Sequence, residues 1–157
     1  MAKEDFRFHF SLRVRWAECD GQGIVFFGRY TDYVEVAQAE YYRNLGIRLY
    51  DEISRVYFDI ATVKLTMEFM APARADELLD IYARVSRVGL SSITMETEMY
   101  RQESSELLNK AEIIFVDYDA TTQTSRRVPD DVRSLVDHFE DTGETLPIDR
   151  FPNLRAR

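Results

Sequence analysis

A single cysteine, Cys19, stands in the 157 residues, which excludes an intrachain disulfide and any cysteine-rich zinc site. Histidine is as scarce: His9 and His138 are the only two, too few for a histidine-built metal centre. Positive charge is in the minority, with 20 Lys and Arg against 28 Asp and Glu and a net charge of −8. A general nucleic-acid binder needs a basic face to neutralise phosphates, so that class is excluded, although a few local arginines can still hold a small anion. No apolar run approaches the ~20 residues of a membrane span. The opening residues, Met1-Ala-Lys-Glu-Asp5, are charged and lack the apolar core of a secretion signal. Also missing are a Gly-x-Ser-x-Gly elbow, a P-loop and a dinucleotide fingerprint. The expectation is a cytoplasmic protein with no metal, nucleic-acid or membrane partner.

What is present is an ordinary globular balance, 45% hydrophobic and 31% charged, in a length that suits one domain. Residues 6–16 alternate cleanly. Phe6, Phe8, Phe10, Leu12, Val14 and Trp16 share one face, while Arg7, His9, Ser11, Arg13 and Arg15 share the other. Period two over this length predicts a strand with one buried face. A polar loop with Gly21 and Gly23 follows. From residue 28 to 45 the period changes: Tyr30, Val34, Ala37, Tyr41 and Leu45 recur at spacings of three and four, as on an amphipathic helix, and Gly46 is a natural stop. Residues 49–56 read equally as a short helix or a turn. Three alternating runs then predict strands at residues 62–69, 79–86 and 93–100. Residues 111–118 are apolar more continuously, as in a central strand covered on both faces. Pro129 opens a last helix with Asp130 and Asp131 in its first turn, and Val132, Leu135, Val136 and Phe139 give it an apolar face. The order predicts an α+β domain over residues 1–140, a long helix against an antiparallel meander. Residues 141–157, with Gly143, Pro147 and Pro152, are expected as an extended or disordered tail.

Chemistry is sought first at Glu18-Cys19-Asp20, where a strand ends in a Gly-rich loop feeding a helix. A helix start carries unpaired N–H groups and the positive end of a dipole. A carboxylate beside such an end can act on a carbonyl whose oxygen points at those N–H groups, which is the minimum for acyl transfer. The competing reading is that Asp20 only caps the loop by accepting local N–H bonds. Cys19 lacks a base that can be placed beside it and reads as structural. His9 reads as a surface or interface residue, His138 as structural, and the stripe of Tyr30, Tyr33 and Tyr41 as core.

Residues Arg15-Trp-Ala-Glu-Cys-Asp20-Gly-Gln-Gly23-Ile-Val-Phe-Phe-Gly-Arg-Tyr30 resemble the signature of the 4-hydroxybenzoyl-CoA thioesterase family, Asp-x-x-Gly-[Ile/Val]-Val-[aromatic]-x-x-x-Tyr. Further along, Met70-Ala-Pro72-Ala-Arg-Ala-Asp76-Glu77-Leu78 is similar to the family's Pro-Ala-Arg-x-x-Asp-Glu-Leu link, and Val88-Gly-Leu-Ser-Ser92, Tyr100-Arg101 and residues 111–117 also fit. The resemblance implies a hotdog fold: a long helix wrapped by a roughly five-stranded antiparallel sheet, with a short C-terminal helix. It implies an acyl-CoA thioesterase that is a dimer or dimer of dimers, with active sites at the dimer interface and with CoA as part of the substrate rather than a cofactor. The family's catalytic carboxylate matches Asp20, and its carbonyl-polarising N–H falls on Phe27 or Gly28. Two positions depart from the pattern. Phe27 stands where many relatives carry His or Tyr, and Arg29 stands where they carry Ser or Asn. Phe27 offers no side-chain acid or base. Arg29 is either a solvated surface residue or a cation at the site's mouth. Arg87, with Ser91 and Ser92 at the next turn, is the expected contact for CoA phosphate or pantetheine. The alternatives are a thioesterase acting on acyl carrier protein thioesters and a non-catalytic acyl-CoA-binding protein of the same fold.

Overall fold

The computed structural model describes residues 3–47 and 49–154. The first alternating run forms strand β1, Phe8–Arg13, with Phe8, Phe10 and Leu12 turned inward and His9, Ser11 and Arg13 exposed. The long helix is α1, Arg29–Asn44, and the ambiguous stretch is a short helix α2, Glu52–Tyr57. Strands β2 (Ile60–Phe69), β3 (Leu78–Val88), β4 (Ser92–Arg101), β5 (Glu106–Asp119) and β6 (Thr124–Arg126) follow, then helix α3, Asp130–Thr142. All pairings are antiparallel, and the sheet runs β1-β3-β4-β5-β2 with β6 added to β5.

The register explains why one helix serves the whole sheet. Leu79, Ile81, Ala83 and Val85 of β3 alternate inward, as do Ile93 and Met95 of β4 and Ile113 and Phe115 of β5. Onto this face α1 lays Tyr30, Tyr33, Val34, Ala37 and Tyr41, all buried. The Tyr41 ring meets Phe8 and Phe139 edge-on, which joins α1 to β1 and α3. Each side chain buried on the scale of Leu or Phe contributes ~1.5–3 kcal/mol, so this stripe is one large contribution to stability. It is the hotdog arrangement. None of the helices in the described residues is long and apolar enough to cross a membrane.

Several expectations are corrected. The first strand is shorter than its alternation. Phe6 crosses to the outer face, where its ring meets Tyr82, and Trp16 is 87% exposed because the chain has already turned into a 3-10 helix, Trp16–Glu18. In β2 a register shift between Thr62 and Lys64 leaves Val63 out of the pairing and 60% exposed, off the apolar face that strict alternation predicts. Strand β5 is covered on one face only, with Glu112 exposed opposite the core. β6 is an addition that sequence reading did not anticipate. The segment after α3 carries a 3-10 turn, Ile148–Arg150, and buries Leu154 completely. Its docking depends on Gly46, whose φ of +89° ends α1 and whose missing Cβ would sit 2.8 Å from Ile148 Cβ.

Candidate active site

β1 hands the chain to a tight hairpin over residues 18–26. Phe26 N–H donates to Glu18 O at 2.9 Å, Cys19 pairs with Val25, and Asp20 N–H donates to Ile24 O at 2.9 Å. Gly23, at φ +77°, closes the tip and donates its N–H to Asp20 O. A side chain other than glycine is strained in that left-handed conformation. Asp20 is half-buried, and its Oδ1 accepts the Gln22 N–H at 2.8 Å. The loop-capping role is therefore real. It occupies one carboxylate oxygen, and Oδ2 accepts no hydrogen bond among the described residues.

Two residues, Phe27 and Gly28, separate the hairpin from helix α1. Gly28 is its N-cap in a helical conformation. Arg29, Tyr30 and Thr31 donate their N–H groups to Phe26, Phe27 and Gly28 carbonyls at 2.8, 3.3 and 3.3 Å. The N–H groups of Phe27 and Gly28 have no acceptor among the described residues. Asp20, Phe27 and Tyr30 line one cavity of about 390 Å³, together with Phe69 at the end of β2 and Met70 just after it. Phe27 is 67% exposed, and the Tyr30 hydroxyl is anchored by the Ala73 N–H at 3.2 Å. The result is a carboxylate and the helix-start residue Phe27 on the walls of one apolar-sided recess, with the unused N–H of Gly28 next along the chain.

Other sequence candidates lie elsewhere. Arg29 forms an exposed ion pair with Asp32 at 3.1 Å and does not line the cavity. Arg87 lies nine positions along β3 from Leu78, whose partner Arg13 leads into the Asp20 loop; at the strand rise this is about 30 Å. Ser91 and Ser92 belong to the turn at that remote end, where their carbonyls accept the N–H groups of Asp117 and Gly89. Arg133 holds the same turn through the carbonyls of Val88, Gly89 and Leu90. Within one chain these residues are not brought to Asp20. His9 stacks on Tyr82 on the outer face, centroids 4.8 Å apart. Among the described residues there is no group of three or more His, Cys, Asp or Glu able to hold a metal ion.

Sequence reasoning named Glu18 beside Asp20 but gave it no role of its own. It is only 5% exposed, and its carboxylate gathers the Arg15 N–H at 2.7 Å, the Tyr33 hydroxyl at 2.9 Å and the Arg15 guanidinium. The available signal was a basic residue three positions before an acid at a turn, a pattern too common to single out by itself.

Three comparisons bear on this site. The profile of the thioesterase superfamily matches residues 22–108, more than half of the chain. Among curated proteins, the acyl-CoA thioester hydrolase YbgC of Escherichia coli is 28% identical over 134 residues, covering 85% of this chain and 96% of that protein. The chloroplastic acyl-acyl carrier protein thioesterase ATL2 of Arabidopsis thaliana is 31% identical over 129 residues, covering 82% of this chain and 68% of that protein. Among solved structures, Slr0204, a 1,4-dihydroxy-2-naphthoyl-CoA thioesterase from Synechocystis, superposes with a TM-score of 0.74 at 21% identity, over 81% of this chain and 93% of that one, and so shares the fold. A family match of this extent, over a chain whose helix end and acidic loop face one recess, establishes that the protein belongs to the thioesterase superfamily and is a thioester hydrolase.

Proposed function

We propose that this hydrolase cleaves acyl-CoA thioesters in the recess between Asp20 and the start of α1. The observation that carries this is that Asp20, with one carboxylate oxygen unbonded, and Phe27, with an unused backbone N–H, line a single cavity, the unused N–H of Gly28 being next along the chain. The thioester oxygen accepts from Phe27 and Gly28 N–H, where negative charge develops as the carbonyl carbon becomes tetrahedral. Two routes suit Asp20. As a nucleophile it adds to the carbonyl carbon, expels CoA thiolate and leaves an anhydride that water splits. As a general base it takes a proton from the water that adds, and the tetrahedral species then expels the thiolate. A single turnover in oxygen-labelled water that leaves label in the Asp20 carboxylate identifies the first route, with water adding at the Asp20 carbon of the anhydride, whereas general-base hydrolysis puts label only in the released acid. The apolar wall of Phe27, Phe69 and Met70 suits the acyl group. The assay is thiol release from acyl-CoA thioesters spanning straight-chain and aromatic acyl groups; no turnover on any of them overturns the reading.

A carrier-protein thioester is the second reading. It is supported by the resemblance to ATL2 and by Trp16 and Arg15, which stand 87% and 74% exposed beside the loop and suit an acidic macromolecular partner. One acyl group presented on CoA and on carrier protein separates the two by kcat/KM.

The site also calls for a second copy of the chain. β2 is an edge strand with Val63 60% and Phe69 52% exposed and Met70 just past its end 45% exposed, the kind of edge that a partner strand covers. Arg87, Ser91 and Ser92 serve as CoA contacts only if a second subunit brings its own turn to the recess. Sedimentation at low micromolar concentration is expected to give a dimer or dimer of dimers; a folded monomer contradicts this.

A further inference from the structure

We infer that Glu18 is a positioning residue for catalysis, the pin that fixes the Asp20 hairpin against the start of α1; this rests on the reading of Asp20 and the Phe27 and Gly28 donors given above. The two halves of the site sit on different pieces of backbone. Asp20 rides on the hairpin, while the N–H donors belong to the helix start. Glu18 touches both. Its carbonyl accepts the N–H of Phe26, the residue just before the donors, at 2.9 Å. Its Oε1 accepts the hydroxyl of Tyr33, on the second turn of α1, at 2.9 Å, and the Arg15 N–H at 2.7 Å. Its Oε2 accepts the Arg15 guanidinium through Nε at 3.3 Å and Nη2 at 3.2 Å. Every group facing the carboxylate is a donor, and only an acceptor-only side chain satisfies all of them. Burial, then the bond to Glu18, pushes the Tyr33 hydroxyl well above the usual tyrosine range, so it remains a donor at any working pH. The Tyr33 ring also packs edge-on against Tyr30 at 5.8 Å, and Tyr30 lines the recess.

The chemistry needs this pin because the distance between Asp20 and the oxyanion donors is set by how the hairpin leans on the helix. A misplacement of ~1 Å can cost about 100-fold in rate. The test is kcat and KM of Glu18→Gln, Glu18→Leu and Tyr33→Phe on the best acyl-CoA, per folded enzyme and well below each variant's Tm, with Asp20→Asn measured alongside. Glu18→Gln keeps an oxygen for Tyr33 and the Arg15 N–H but sets an amide N–H₂ against the guanidinium, so it should lose less than Glu18→Leu. Glu18→Leu is expected to lower kcat about 100-fold and Tyr33→Phe about 10-fold, with KM changed by less than about two-fold. The double variant Glu18→Leu/Tyr33→Phe should be no worse in kcat than Glu18→Leu, since the two act as one unit. A residue that merely glues the fold would lower Tm and leave kcat per folded molecule unchanged, and a folded Glu18→Leu with wild-type kcat overturns the inference. Should Glu18→Leu not fold, an unchanged kcat in Tyr33→Phe overturns it equally. If Asp20→Asn is inactive while the Glu18 and Tyr33 variants are normal, only the positioning role falls. If Asp20→Asn is fully active, the site itself has been misread.

Discussion

Asp20→Asn is expected to lower kcat by a factor of about 10²–10⁴, the range that a positioned base or nucleophile supplies, while Cys19→Ala keeps most of the activity. The structure makes this comparison informative. The Gln22 N–H bonds Asp20 Oδ1, and an asparagine carbonyl oxygen can accept the same bond. The hairpin therefore survives the substitution, and what is removed is the charge and basicity of the second oxygen. Cys19 is half-buried, with its sulfur 3.9 Å from the Arg15 carbonyl, and its backbone pairs with Val25 whatever the side chain. Alanine removes a small thiol and leaves that pairing in place. The readout is thiol release under saturating acyl-CoA, with circular dichroism to establish folding. A severe loss in Cys19→Ala with little loss in Asp20→Asn would make the thiol the nucleophile.

The parts of this site that were legible in the sequence are those set by local pattern. Alternation marked β1, the three-and-four spacing of tyrosines and aliphatics marked α1, and the polar loop between them marked where a carboxylate meets a helix end. Local pattern cannot see where hydrogen bonding stops. Trp16 continues the alternation in phase, yet the backbone has left the sheet, so a residue that counts as core by period stands in solvent. A bulge is equally silent: displacing Val63 moves Thr62 and Ile60 onto the inner register, opposite Phe115 and Asp117, which no count of twos predicts. Non-local facts were out of reach for a different reason. The sheet order places β2, the second strand along the chain, at an edge beside β5, and hairpin register puts Arg87 at the far end of β3 from Asp20. The separate role of Glu18, next to the loop where chemistry was sought, was not legible because it depends on Tyr33, fifteen positions away and turned toward it only by the crossing of α1 over the sheet. A buried carboxylate with four donors is a three-dimensional fact carried by one unremarkable letter.

Gly28→Pro is expected to lower kcat by about 10²–10³, the worth of one preorganised oxyanion donor, while Gly28→Ala and Phe27→Tyr lower it only modestly. The backbone at Gly28 has φ −64°, the value at which proline is locked, so proline fits the residue's own conformation and deletes its N–H. A Cβ there would meet Phe26 Cε1 at 3.0 Å. That ring is 46% exposed and free to give way, and alanine presents the same Cβ while keeping the N–H. The difference between the two variants therefore isolates the donor from the steric contact. Proline also disfavours helical geometry at the residue before it, so some of its loss comes from Phe27, and circular dichroism and Tm must accompany the kinetics. Phe27→Tyr leaves both backbone donors in place and adds a hydroxyl to a ring that is 67% exposed, which gives turnover no reason to change much. The measurement is kcat for the four proteins on one acyl-CoA. If folded Gly28→Pro matched Gly28→Ala, the thioester oxygen would not rely on Gly28, and the Phe27 N–H would be left as the donor at the helix start, since Arg29, Tyr30 and Thr31 already spend theirs on carbonyls of the first turn.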